Sequence, residues 1–197
     1  MQLSTKRLYL NEISLEDLQQ VHQLHSFPET DEFNTLGIPD TIKITESIIN
    51  TWIEHQKGNP RFSYTFAIRH KETHDFIGLM ALNLGKLNFR IAEVWYKTHP
   101  NHWRNGYTSE ALNELLKFGF QNLALHRIEA GCAVENIASI KVLEKVGMLR
   151  EGKKRKVLPI RGEWVDNYSY AILETDFEEL HSLIINDSDL GGNRTRI

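Results

Sequence analysis

Cysteine is almost missing from this chain: Cys132 is the only one among 197 residues. A lone thiol excludes an intramolecular disulfide and a thiolate-rich metal site, and it suits a reducing compartment, so a cytoplasmic location is expected. Long apolar runs are missing too. No stretch approaches the roughly 18 apolar residues of a membrane span, and the opening Met1-Gln2-Leu3-Ser4-Thr5-Lys6-Arg7 lacks the apolar segment of a secretory leader. No membrane partner is expected. Excess charge of either sign is also lacking: 23 basic against 26 acidic residues leave a net charge of -3, which supplies no overall field for nucleic acid. What remains is an ordinary globular composition, 41% apolar and 25% charged, without internal repeats or low-complexity tracts. One domain over residues 1–185 with a flexible tail over 186–197 is expected.

Hydrophobic periodicity then places the elements. Arg7 to Leu10 alternates as a half-buried strand, and Ser14 caps a helix with Leu18, Val21 and Leu24 on one face. Residues 26–43, with Pro28, Gly37 and Pro39, read as a loop or broken helix, followed by a helix from Thr45 to Gln56. A β-meander follows, at about 62–68, 76–82 and 91–96, and Pro100 stops its last strand. Ala111, Leu112, Leu115, Leu116 and Gly119 then define a helix, Ile128 to Val134 a strand, and Asn136 to Val146 a helix closed by Gly147. Two strands, about 148–158 and 164–173, flank a Pro159-Ile160-Arg161-Gly162 turn, and an acidic helix runs from Glu174 to about Ile185.

The chemistry concentrates where a strand runs into a glycine loop and a helix. Several main-chain N–H groups lie unpaired there, with the positive end of the helix dipole behind them. Arg104-Asn105-Gly106-Tyr107-Thr108-Ser109 is therefore a diphosphate-binding candidate, with Gly106 allowing close approach and Thr108 or Ser109 adding hydroxyls. About 30 residues on, Asn136-Ile137-Ala138-Ser139 opens the helix that ends in Val142-Leu143-Glu144-Lys145-Val146-Gly147-Met148.

Taken with Thr5-Lys6-Arg7-Leu8-Tyr9-Leu10, Phe76-Ile77-Gly78, Ala92-Glu93-Val94-Trp95-Tyr96 and Trp164-Val165-Asp166, these segments resemble the GNAT N-acetyltransferases. They are most similar to the RimJ/RimL-type branch that acetylates ribosomal-protein N-termini. Two positions depart from the loop pattern Gln/Arg-x-x-Gly-x-Gly/Ala: Trp103 stands first and Thr108 last. The second departure implies a loop slightly farther from the phosphates.

The resemblance implies an α/β (α+β) fold with a mixed, mostly antiparallel sheet of six or seven strands, about four flanking helices, and a splay at the fourth strand. It implies acetyl-CoA as co-substrate and no metal. Backbone groups of Trp95, Tyr96 and Lys97, at a bulge, would pair with the pantetheine arm, and an N–H there would steady the thioester oxygen. Asn136 would bond the pantetheine, and Ser139 would protonate the departing thiolate. Glu93 is the candidate base, acting directly or through water.

The implied acceptor is a protein N-terminal α-amine. Such an amine, with a pKa of about 7.7 to 8.0, is partly neutral at pH 7, whereas a lysine amine near about 10.4 is almost wholly charged. Polyamines, amino acids and aminoglycosides remain alternatives, as does a silent acyl-CoA-binding module.

Plain structural readings stand beside these. Glu93 also reads as a solvated strand carboxylate, and Asn136 and Ser139 also read as capping residues. His99 and His102 read as loop histidines rather than metal ligands. Lys153-Lys154-Arg155-Lys156 reads as a solvated strand or turn rather than an RNA contact. Trp52, Trp95, Trp103 and Trp164 read as packing residues rather than base-stacking platforms, Trp52 and Trp164 with the alternative of walling an acceptor cleft, and Cys132 would be inert. The Glu174–Ile185 helix would serve a monomer as a cap or a homodimer as a contact.

Overall fold

The computed structural model describes residues 1–190, with side chains to residue 182. The strands are β1 (Gln2–Ser4), β2 (Leu8–Glu12), β3 (Ser63–His70), β4 (Phe76–Leu84), β5 (Ile91–Thr98), β6 (Arg127–Ala133), β7 (Leu149–Ile160) and β8 (Glu163–Leu173). The helices are α1 (Leu18–Ser26), α2 (Pro28–Asp31), α3 (Ile42–Lys57), α4 (Tyr107–Lys117), α5 (Ile137–Lys145) and α6 (Glu174–Leu190). All eight strands form one sheet in the order β1-β2-β3-β4-β5-β6-β8-β7. Every pair is antiparallel except β5 with β6.

Strand alternation sends side chains to two faces, and each face is covered. On one, Leu8, Leu10, Phe66, Met80, Leu82, Ala92 and Val94 pack with Ala111, Leu112, Leu115 and Leu116 of α4 and Leu143 of α5. On the other, Ala67, Phe76 and Leu79 pack with Val21 and Leu24 of α1 and Ile49 of α3, and Trp52 and Trp95 close the edge of that cluster. Fully burying one such leucine is worth about 1.5–3 kcal/mol, so the two layers lock the central strands β3–β5 between them.

Eight strands and six helices exceed the expected numbers for identifiable reasons. β1 is a three-residue edge strand paired to β2, and α2 is one turn started by Pro28 inside the segment read as a loop. α6 continues past Ile185 to Leu190, so 186–190 are helical where a tail was expected, and residues 191–197 lie outside the described part. The β7–β8 turn is tighter than expected. Ile160 and Glu163 pair, and Arg161 and Gly162 both take positive φ (49° and 81°), the backbone of a two-residue hairpin turn.

Candidate active site

The parallel β5–β6 ladder is short: Ile91 pairs with Arg127, Ala92 with Ile128, and Glu93 with Glu129, and there it ends. β6 keeps pairing with β8 as far as Ala133↔Asn167, while β5 keeps pairing with β4 as far as Thr98↔Gly78. The two strands therefore diverge beyond Glu93, and β5 presents an open hydrogen-bonding edge along residues 94–97. The splay lies at the fifth strand in chain order because β1 adds one. The expected bulge is absent from it, since the β4–β5 register runs without a shift. Gly78 holds the other side of this segment. A Cβ there would come within 2.2 Å of the Lys97 carbonyl oxygen, at a φ of +154° that side chains rarely adopt.

The open edge leads into the glycine loop. Gly106 precedes α4 with φ +76°, and Arg104 is also left-handed at +62°. Glu110 N is the first α4 amide bonded to this loop, through the Gly106 carbonyl, and the N–H groups of 104–109 meet no acceptor among the described residues. Unpaired amides at a helix start are the kind of place where anions bind. Arg104 is exposed and forms no ion pair among the described residues.

Both departures from the loop pattern turn out to be braces. The Trp103 indole Nε1 donates to the Thr98 carbonyl at 2.8 Å, and the Thr108 and Thr98 hydroxyls meet at 2.8 Å. Thr108 therefore faces β5, and Ser109 is buried, which leaves main-chain amides rather than hydroxyls at the loop surface. The loop is braced from below as well. Glu110 accepts from the Thr5 hydroxyl (2.5 Å), Arg7 N (2.8 Å) and Arg7 Nε (2.6 Å). Burial pushes the Glu110 carboxyl up, but these bonds outweigh it and hold the group below the usual range. Arg7 also donates to the Asn105 carbonyl at 3.1 Å and lies 4.5 Å over the Tyr107 ring. Sequence reading recognised Arg7 as a matched position without seeing this tie to Glu110.

Across the splay stands α5. Asn136 is its N-cap, with Oδ1 accepting from Ser139 N at 3.0 Å, and its side-chain nitrogen Nδ2 makes no bond among the described residues. The Ser139 hydroxyl lies 2.8 Å from the Tyr96 hydroxyl. Burial raises the Tyr96 phenol well above its usual range, against the opposing effect of that bond. Tyr96 entered the sequence reading for its backbone alone, yet alternation along Ala92, Val94 and Tyr96 puts its ring on the α4/α5 side, toward Ser139. Cys132 lies beside this pair, its thiol pushed up to about 11 by burial and eased down by Ser139. A protonated, buried thiol of this kind is inert.

The opposite face of β5 carries Trp95 and Lys97. Trp95 stacks on Trp52 (centroids 5.5 Å apart), and Trp52 meets the His25 ring edge-on at 6.2 Å. Lys97 and His25 are buried, as is Asp31 of α2, and none was singled out from sequence for its side chain. Glu93 sits at the vertex, exposed, and its carboxylate makes no hydrogen bond among the described residues. Trp164 is exposed beside the β7–β8 turn. His99 accepts from Asn101 N (3.2 Å) and packs against Phe27 (4.8 Å), and Lys153 pairs with Asp166 at 2.9 Å, so both groups have structural work.

Comparison with known proteins bears on the family and the fold. The acetyltransferase (GNAT) domain family matches residues 7–149. An uncharacterized N-acetyltransferase of Bacillus subtilis, YnaD, is 34% identical over 179 residues, covering 90% of this chain and 99% of that one. Among solved structures, RimJ of Mycobacterium smegmatis in complex with CoA-disulfide superposes with a TM-score of 0.79 at 20% identity, covering 93% of this chain and 94% of that one. The spermidine N-acetyltransferase of Vibrio cholerae, in complex with CoA and spermine, gives 0.77 at 23% identity, covering 87% and 98%. At those identities the two structures speak to the fold alone.

Proposed function

The chain belongs to the GNAT acetyltransferase family, and from that premise we propose that it transfers acetyl from acetyl-CoA directly to a protein N-terminal α-amine. The observation that carries the cofactor reading is the open β5 edge, which runs from the splay at Glu93 into the unpartnered amides around Gly106. An extended ligand ending in a diphosphate matches that path. Main-chain groups of Trp95, Tyr96 and Lys97 pair with its pantetheine arm as an added strand would, and Asn136 supplies its free amide nitrogen. Arg104, Asn105, Gly106, Tyr107, Thr108 and Ser109 wrap the diphosphate, chiefly through backbone N–H groups and the Arg104 charge.

In the transfer step the amine nitrogen attacks the thioester carbon, the C–S bond breaks, and the thiolate takes a proton. A main-chain N–H of the open edge steadies the carbonyl oxygen as charge develops. Ser139 gives the proton, and the Tyr96 hydroxyl bonded to it holds its orientation. Glu93, free of partners at the vertex, receives the proton of the incoming amine directly or through water.

Titration calorimetry with CoA, followed by thiol release on a panel of peptides and amines, tests this reading. Binding with turnover on an N-terminal peptide supports it. Binding without turnover on any acceptor leaves only an acyl-CoA-binding module.

A further inference from the structure

Three polar atoms on the α1/α3 side of β5 lie buried and without a hydrogen-bond partner among the described residues: Lys97 Nζ, Asp31 Oδ1 and His25 Nδ1. Their residues are 8%, 6% and 1% exposed. Unpartnered buried donors and acceptors each cost about 1–3 kcal/mol, and more when charged, so three in one place mark a position built for something else. They form a group. Asp31 and Lys97 act on one another electrostatically, as do Lys97 and His25, yet Lys97 enters no direct ion pair among the described residues. Burial drags the Lys97 ammonium down to about 8, with Asp31 pulling the other way.

The place is also the right one. Lys97 stands on the open segment of β5, on the face opposite Tyr96 and Ser139 and the same face as Trp95, whose ring meets Trp52. Asp31 is tied to the surface by a single contact. Its second oxygen meets Arg161 of the β7–β8 turn at a loose 3.4 Å, and Arg161 is half exposed.

We propose that Lys97 and Asp31 form the acceptor subsite and select α-aminoacyl compounds, in which a carbonyl or carboxylate oxygen lies one carbon from the reacting amine. Lys97 donates to that oxygen and Asp31 holds the amine until it loses its proton, so each unpartnered atom gains its complement. His25, which meets Trp52 edge-on and stands near Lys97, supports the floor. A polyamine offers no oxygen to Lys97 and brings added positive charge against it. The subsite thus deepens the proposed transferase function, on which it rests, and separates N-terminal peptides and amino acids from polyamines.

The test measures kcat/KM at saturating acetyl-CoA for an alanyl peptide, free alanine, ethylamine and spermidine, with wild type, Lys97→Met and Asp31→Asn. Wild type is expected to prefer the carbonyl-bearing acceptors over ethylamine by about 10- to 100-fold, the worth of one hydrogen bond from a charged donor. Peptide against free alanine tells which source of the motif is used. Lys97→Met should collapse the preference, mainly through KM, with CoA affinity kept as the control for folding. Asp31→Asn should raise KM for every amine. Equal or better turnover of ethylamine or spermidine by wild type, or an unchanged preference in Lys97→Met, overturns the subsite while leaving acetyl transfer standing. No turnover on any amine, with CoA still bound, overturns both.

Discussion

The two faces of β5 are built on opposite terms. On the α4/α5 side, Tyr96 bonds Ser139, Ser139 N bonds Asn136, and Thr98 bonds Thr108, so the polar groups beside the splay are held before any ligand arrives. On the α1/α3 side, Lys97, Asp31 and His25 are buried with polar atoms left over. The first face has the preorganisation that catalysis on a fixed co-substrate needs. The second stores unfavourable free energy that a variable partner would release, as binding sites commonly do. If that contrast is right, substitutions on the first face should damage turnover and those on the second should trade stability against specificity.

The sharpest break comes from Ser139→Ala, expected to lower kcat by about 10²–10⁴ with little change in CoA affinity. Single-turnover kinetics beside calorimetry would check it. Next is acid lability. Burial lowers His25 from 6.5 to about 3, with Lys97 and His22 adding to the shift, so between those values the unfolded state binds the proton and the folded state does not. Stability is therefore complete above pH 6.5 and falls as pH drops toward 3, by up to about 4–5 kcal/mol at the bottom of that window. Urea unfolding at pH 7 and pH 4 would show the loss, and His25→Gln would reduce it.

Smaller and opposite in sign is Lys97→Met. The folded lysine releases its proton near 8 and the unfolded one near 10.5, so the penalty is full below pH 8 and fades as pH rises between those values. Removing the charge should stabilise the fold by about 2–3 kcal/mol at pH 7 and by little above pH 10.5. A stabilising substitution that impairs acceptor choice would set the second face apart from the first, where no such gain is expected. Least of all, Thr108→Ala removes one hydroxyl pair and should cost about 1 kcal/mol, read as a small fall in urea midpoint.

The same contrast explains what the sequence revealed. The meander, the Gly106 loop and the Asn136 cap were legible because each rests on a local rule: period-two alternation, a left-handed glycine before a helix, a side chain accepting from the third residue of its helix. β1 and α2 were not, since three and four residues hold no period. The splay was visible only through family likeness. It shows only where β6, paired to β8 along its whole length, parts from β5 beyond Glu129, a matter of segments far apart in the chain. Lys97 shares the parity of Trp95, and His25 follows Val21 by one helical turn, so the spacing was present for both. A lysine and a histidine at those positions read as solvated until α1, α2 and α3 are seen to close over them. Trp103 and Thr108 taught the converse. Read as defects in a loop pattern, they are the groups that tie the loop to Thr98.

Under the proposed function, the open strand edge and the unpartnered amides form one continuous cofactor track. Amide hydrogen exchange with and without CoA tests it residue by residue. Slowed exchange confined to the β5 segment 94–97 and the loop 104–109, together, is the predicted result. Protection elsewhere with both segments unchanged would contradict it.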